Sequence, residues 1–168
     1  MQGRWGWLGF SLALLGAVPG LSGCASTPPA HPASLSSHSC SASDGPREST
    51  VDAAIAGLPI EVPGSSWVEI ARGHTTSCRL FWVQVIPTIA AEDTGQQLLF
   101  FDRNSVLGTP TAHSKPYTTV VAASEDTVTV QYQWRTGADK VCCPSGHGRV
   151  RYRIGPHGSL EALDSVPH

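Results

Sequence analysis

The stretch VCCPSGHG, residues 141–148, sets Cys142 and Cys143 side by side, with His147 four residues beyond. Thiols and an imidazole so placed suggest three chemistries: a metal site, a redox centre or a structural staple. Zinc sites usually space their cysteine ligands by roughly two to four residues, because adjacent side chains diverge. A thioredoxin-like centre needs C-x-x-C, which is absent. The staple is therefore expected, with no metal and no cofactor.

Other chemistry-bearing patterns are sparse. No G-x-S-x-G, H-E-x-x-H, Walker or G-x-G-x-x-G motif occurs. Ser145 lies two residues from His147, a separation at which a loop rarely forms the nucleophile–base hydrogen bond, and no orienting acid is evident. Asp102, Glu125 and Asp126 flank turns, where capping and solvation explain them. The remaining histidines, His31, His38, His74, His113, His157 and His168, are scattered singly and read as exposed. An enzyme is not expected.

One charged pattern stands above this background. Arg149, Arg151 and Arg153 alternate along GRVRYRI, so three guanidinium groups leave one side of a strand. Such a row is a candidate anion-binding surface for phosphate or carboxylate, or a solvated face opposite the Thr/Gln row of the preceding strand.

The N-terminus speaks to the compartment. MQGRWGWLGFSLALLGAVPGLSGCAS has one early charge, Arg4, a short apolar run and then small residues. That is the layout of an export signal, and the run is too short and interrupted for a comfortable membrane span. Leu21-Ser22-Gly23-Cys24 has the form of a lipobox. Cleavage between Gly23 and Cys24 would leave Cys24 as the first mature residue, carrying diacylglycerol and palmitate-like chains. Two or more acyl chains, at about 0.8 kcal/mol per buried CH₂, anchor a domain stably. Residues 1–23 are thus the expected signal peptide. The mature chain keeps 10 basic against 13 acidic residues, near −3, and has no basic field suited to nucleic acid.

Residues 24–45 are rich in Ser, Pro and Ala without apolar periodicity, and read as a tether, compositionally open to O-glycosylation. Residues 46–168 form one domain, long enough to bury a core. In ESTVDAAIAGLP, Ser49 and Asp52 suggest a capping box, and Val51, Ala54, Ile55 and Leu58 form a helical stripe. SWVEIAR, RLFWVQVI, QLLFFD, TTVVAA, DTVTVQYQW, GRVRYRI and SLEAL read as strands. The predicted fold is α+β: a single domain with a largely antiparallel β-meander, one N-terminal helix and disulfide staples. RLFWVQVI and QLLFFD are apolar on both faces, so either the sheet curls on itself or an apolar groove remains.

With Cys24 lipidated, Cys40, Cys78, Cys142 and Cys143 remain, enough for two disulfides. Neighbouring Cα atoms lie about 3.8 Å apart, below the usual disulfide range of roughly 4.4–6.8 Å. A Cys142–Cys143 bridge is therefore disfavoured. In extended chain the two sulfurs would point to opposite sides, one reaching Cys40 and the other Cys78.

The ordered segments PGSSWVEIARGHTTSCRLFWVQV, QQLLFFDRN, KPYTTV, DTVTVQYQW and CCPSGHGRVRYRI, with the lipobox and the cysteine pattern, closely resemble the LppP/LprE family of mycobacterial lipoproteins, nearest its LppP branch. The likeness spans nearly all of residues 46–168. It implies an envelope lipoprotein on the extracytoplasmic side of the cell membrane, and supplies no catalytic residues. The function expected is binding: a monomeric domain engaging a protein partner or an amphipathic lipid or glycolipid ligand. An accessory subunit or inhibitor of a cell-wall enzyme is the alternative, with an envelope hydrolase behind it.

Overall fold

The computed structural model describes residues 40–167. The expected signal segment, the lipobox with Gly23 and Cys24, His31, His38, His168 and most of the tether lie outside them.

The helix α1 spans Glu48–Ala56 and eight strands follow: β1 Trp67–His74, β2 Leu80–Pro87, β3 Gln97–Asp102, β4 Ser105–Gly108, β5 Thr119–Ala123, β6 Thr127–Trp134, β7 Gly146–Ile154 and β8 Leu160–Ala162. They form two antiparallel meanders of four strands, β1-β2-β3-β4 and β5-β6-β7-β8. The expected α+β meander is present, divided into two sheets. The short β4 was not anticipated, because only four residues follow the turn at Arg103 and Asn104.

This division explains why β2 and β3 are apolar on both faces. Their residues Leu80, Leu98 and Phe100 meet Val128, Val130, Tyr132, Val150 and Tyr152 of the second sheet, all 2% exposed or less. Alternate residues Phe81, Val83, Val85, Leu99 and Phe101 face the other way and pack with Val51 of α1. The layers are helix, sheet and sheet. Each fully buried apolar side chain contributes roughly 1.5–3 kcal/mol, and most such residues lie on β2, β3, β6 and β7.

Polar contacts tie the sheets together. Gln96 and Lys115 exchange backbone hydrogen bonds of 2.9 and 3.0 Å. Gln84, 7% exposed, donates to the carbonyl of Thr118 at 2.8 Å. The amides of Thr76 and Ser77 in the β1–β2 turn donate to Ser124 and Glu125 in the β5–β6 turn.

Two sequence expectations are corrected. The helix is capped by Arg47 in extended conformation, with Ser49 inside the first turn and no side-chain cap from Arg47. Asn104 instead accepts from the Arg47 amide at 2.8 Å and the Thr50 hydroxyl at 2.9 Å. The predicted stripe holds: Val51 is buried, and Ala54, Ile55 and Leu58 pack beside it.

The disulfide pairing also differs from the cross-pairing expected. Cys40 bonds Cys78, with Cα atoms 5.5 Å apart, and the sulfurs of Cys142 and Cys143 meet each other rather than either of those two. Strand alternation does not govern residues 142–143, because Cys142 sits in a turn closed by the Cys143 amide on the Lys140 carbonyl. Cys78 occupies the β1–β2 turn at φ 55°, where it meets Cys40 at the edge of the helix-side core. Across a separation of 38 residues, loop closure gives about 4 kcal/mol in the chain-entropy treatment.

Candidate functional site

The loop from β6 to β7 is organised by Asp139, which sequence reasoning passed over. Its Oδ2 accepts from the amides of Thr136 and Ser145 and from the Ser145 hydroxyl, each at 2.8 Å, and from the Thr136 hydroxyl at 3.3 Å. These bonds, the Thr136 and Ser145 amides first, lower its carboxyl pKa to about 2. The sequence signal was T-x-x-D, the spacing of a capping box in which the acid reaches back to the amide three residues before it. From β4–β5, Tyr117 donates its hydroxyl to the Val141 carbonyl. Cys142 and Cys143 are exposed at the crest of this clamped loop.

An acid does stand beside Ser145, but the arrangement is not a triad. The Ser145 hydroxyl bonds Asp139 directly, and His147 turns Nδ1 towards the Ser145 backbone carbonyl at 3.3 Å. Among the described residues no imidazole addresses the hydroxyl, so the histidine that a triad places between serine and acid is not in that position. Among the described residues, no three His, Cys, Asp or Glu side chains converge as metal ligands. His74, read from the sequence as exposed, ends β1 and is partly buried, with its ring 5.5 Å from that of Phe81. His113 approaches Glu61 at 3.6 Å. Asp102 forms an ion pair with Arg79 at 3.0 Å.

The three arginines stand on the outer face of β7, opposite Gln131, Thr129 and Thr127. Arg149 donates to Gln131 at 3.2 Å. Arg151 grips Asp164 through Nε at 2.9 Å and a terminal nitrogen at 3.0 Å, while the Arg151 amide donates to the same carboxylate. Arg153 pairs with Glu161 at 2.9 Å. Arg151's side chain and amide hold the Asp164 carboxyl at about 2. Two of the three guanidinium groups therefore already hold carboxylates, and Arg149 alone in the row has no acidic partner among the described residues.

Apolar surface concentrates on the first sheet. β1 is an edge strand, and the register bulge between Glu69 and Ala71 leaves Ile70 half exposed. Ile60 and Val68 are exposed nearby, at 68% and 44%. A groove of about 470 Å³ runs between α1 and this edge, lined by Ile55, Leu58, Ile60, Trp67 and Val68 and rimmed by Glu48, Asp52 and Glu69. A second, of about 370 Å³, lies between Cys40, Pro46, His74, Phe81 and Trp82. Neither groove includes an arginine of the β7 row. No described helix is long and apolar enough to cross a membrane.

The family model described as LppP/LprE lipoprotein matches residues 72–157. Proteins of Mycobacterium bovis and Mycobacterium tuberculosis that carry the lipoprotein name LppP are 61% identical over 149 residues, covering 89% of this chain and 85% of theirs. No solved structure matches.

Proposed function

The chain belongs to the LppP/LprE lipoprotein family, and on that premise we propose that it is a non-enzymatic envelope lipoprotein that presents a protein-binding domain at the outer face of the plasma membrane. Acylation of Cys24 anchors it, and the Ser/Pro/Ala-rich segment spaces the domain from the headgroups. The observation that carries the binding reading is the exposed apolar set Ile60, Val68 and Ile70 beside the edge of β1, which no strand among the described residues pairs. An edge strand offers unpaired backbone groups, and flanking apolar side chains add area and specificity. A partner that inhibits or assists through this edge fits the same surface, so an accessory subunit or inhibitor of a cell-wall enzyme is one form of the proposal.

The alternative, an enclosed lipid or glycolipid cargo, draws less support. The layer between the sheets is filled by side chains at 2% exposure or less, and the arginine row lies apart from both grooves.

The test places a photo-crosslinking residue at Val68 and, as control, at Thr129 on the outer face of the second sheet. The expected result is one discrete protein adduct from Val68, lost in Ile60→Lys, with none from Thr129. Equal adducts from both positions would refute the β1 edge. Cys24→Ala should release the domain into the medium; retention on the membrane would refute the anchor.

A further inference from the structure

The two cysteine pairs are physically unlike. Cys40–Cys78 closes a separation of 38 residues and packs against the helix-side core. Loop closure of that length restricts the unfolded chain strongly, so folding and the bond stabilise each other. Cys142 and Cys143 are sequence neighbours. A bond between neighbours closes almost no loop, and restricts the unfolded chain hardly more than the peptide linkage already does. Stapling the fold is therefore not its role.

Nor does the loop need this bond to keep its shape. Asp139 receives four hydrogen bonds from Thr136 and Ser145. Tyr117 holds the Val141 carbonyl, and the Cys143 amide closes the turn on Lys140. All of these remain available when the sulfurs separate. Both cysteines are exposed, so an external thiolate has access to either sulfur.

We propose that Cys142–Cys143 is a thiol–disulfide exchange site, whose co-substrate is an external dithiol in one direction and a disulfide in the other. A thiolate of the incoming dithiol attacks one sulfur of the pair and forms a mixed disulfide. The other protein sulfur leaves as a thiolate and takes up a proton. The second external thiol then attacks the mixed disulfide and releases the second protein thiol. Two electrons and two protons pass to the pair, and the donor is left as a disulfide. The reverse sequence oxidises an external dithiol. This chemistry does not depend on Cys24 or on the β1 edge, so it stands or falls apart from the binding proposal.

The test equilibrates full-length protein with graded ratios of reduced to oxidised glutathione, traps free thiols with N-ethylmaleimide and maps them by peptide mass. The expected result is paired labelling of Cys142 and Cys143 at a ratio on the order of a thousandfold less reducing than Cys40 and Cys78 require. Far-ultraviolet circular dichroism should stay unchanged across that first step. After it, phenylarsine oxide, which bridges adjacent thiols, should bind one per chain, and Cys142→Ser should abolish that binding. Coincident opening of both pairs would overturn the proposal. So would labelling of Cys142 and Cys143 before any reductant is added, loss of structure at the first step, or failure of the reduced protein to bind the arsenical.

Discussion

The hydroxyls of Tyr132 and Tyr152 meet 2.9 Å apart within the buried layer between the sheets, on residues 2% and 1% exposed. Each is the other's polar partner. Replacing one by Phe leaves a buried hydroxyl unpaired, at a cost of about 1–3 kcal/mol, whereas replacing both removes the polar pair together. Chemical denaturation of Tyr132→Phe, Tyr152→Phe and the double variant should show the double less destabilised than the singles add up to. Simple additivity would mean the contact carries no coupling.

Burial raises the pKa of both phenols, and for Tyr132 the hydrogen bond to Tyr152 adds to it. The folded state therefore favours the protonated form, and its contribution is full below about pH 10, the unfolded value. It is lost as pH rises beyond that. Ultraviolet difference titration should find these two tyrosines ionising together with unfolding rather than before it.

Asp164 behaves in the opposite sense. Held at about 2 by Arg151, it favours folding fully above its unfolded value near 3.9, and loses that contribution as pH falls through about 2. Carbon-detected titration of the Asp164 carboxyl should give a midpoint near 2 that moves towards the ordinary range in Arg151→Ala. A midpoint near 4 in the native protein would remove Arg151 from service to Asp164 and return it to the candidate anion-binding row.

Gly73 lies against the Trp82 ring. A Cβ at this position would stand 2.6 Å from Trp82 Cζ2, closer than side-chain carbons approach. Gly73→Ala should cost roughly 1–3 kcal/mol through displacement of that ring. A thermal scan showing no loss would mean Trp82 moves freely; its buried indole Nε1 has no hydrogen-bond partner among the described residues to hold it.

Asp139→Ala should loosen one loop and leave the sheets intact. Amide exchange at Thr136 and Ser145 should accelerate, while Val130 and Val150, on buried β6 and β7, stay protected. Faster exchange throughout the second sheet would assign Asp139 a wider structural role.

The elements with strong periodicity were legible in the sequence. Val128, Val130 and Tyr132 face inward, Thr127, Thr129 and Gln131 lie on the opposite face, and the α1 stripe lands on the core. What escaped depended on partners distant along the chain. Asn104 caps a helix whose N-cap residue, Arg47, lies 57 residues earlier, and no local pattern around Ser49 could reveal it. The carboxylates of Asp164 and Glu161 neutralise arginines whose alternation alone suggested open cations. The cysteine pairing failed because alternation was applied to residues that sit in a turn. The apolar faces of β2 and β3 left open a sheet curled on itself or a remaining groove, and composition could not say that a second sheet supplied the cover.

Each sheet is assembled from strands consecutive in the chain, and the Cys40–Cys78 bond lies wholly in the N-terminal half. A polypeptide emerging N-terminus first can thus complete the helix, the first meander and its bond while residues beyond 118 are still being delivered. During that interval Leu80, Leu98 and Phe100 face solvent, because the strands that cover them come last. Vectorial delivery therefore creates a timed window of exposed apolar surface, and the speed at which β6 and β7 arrive decides how long it stays open.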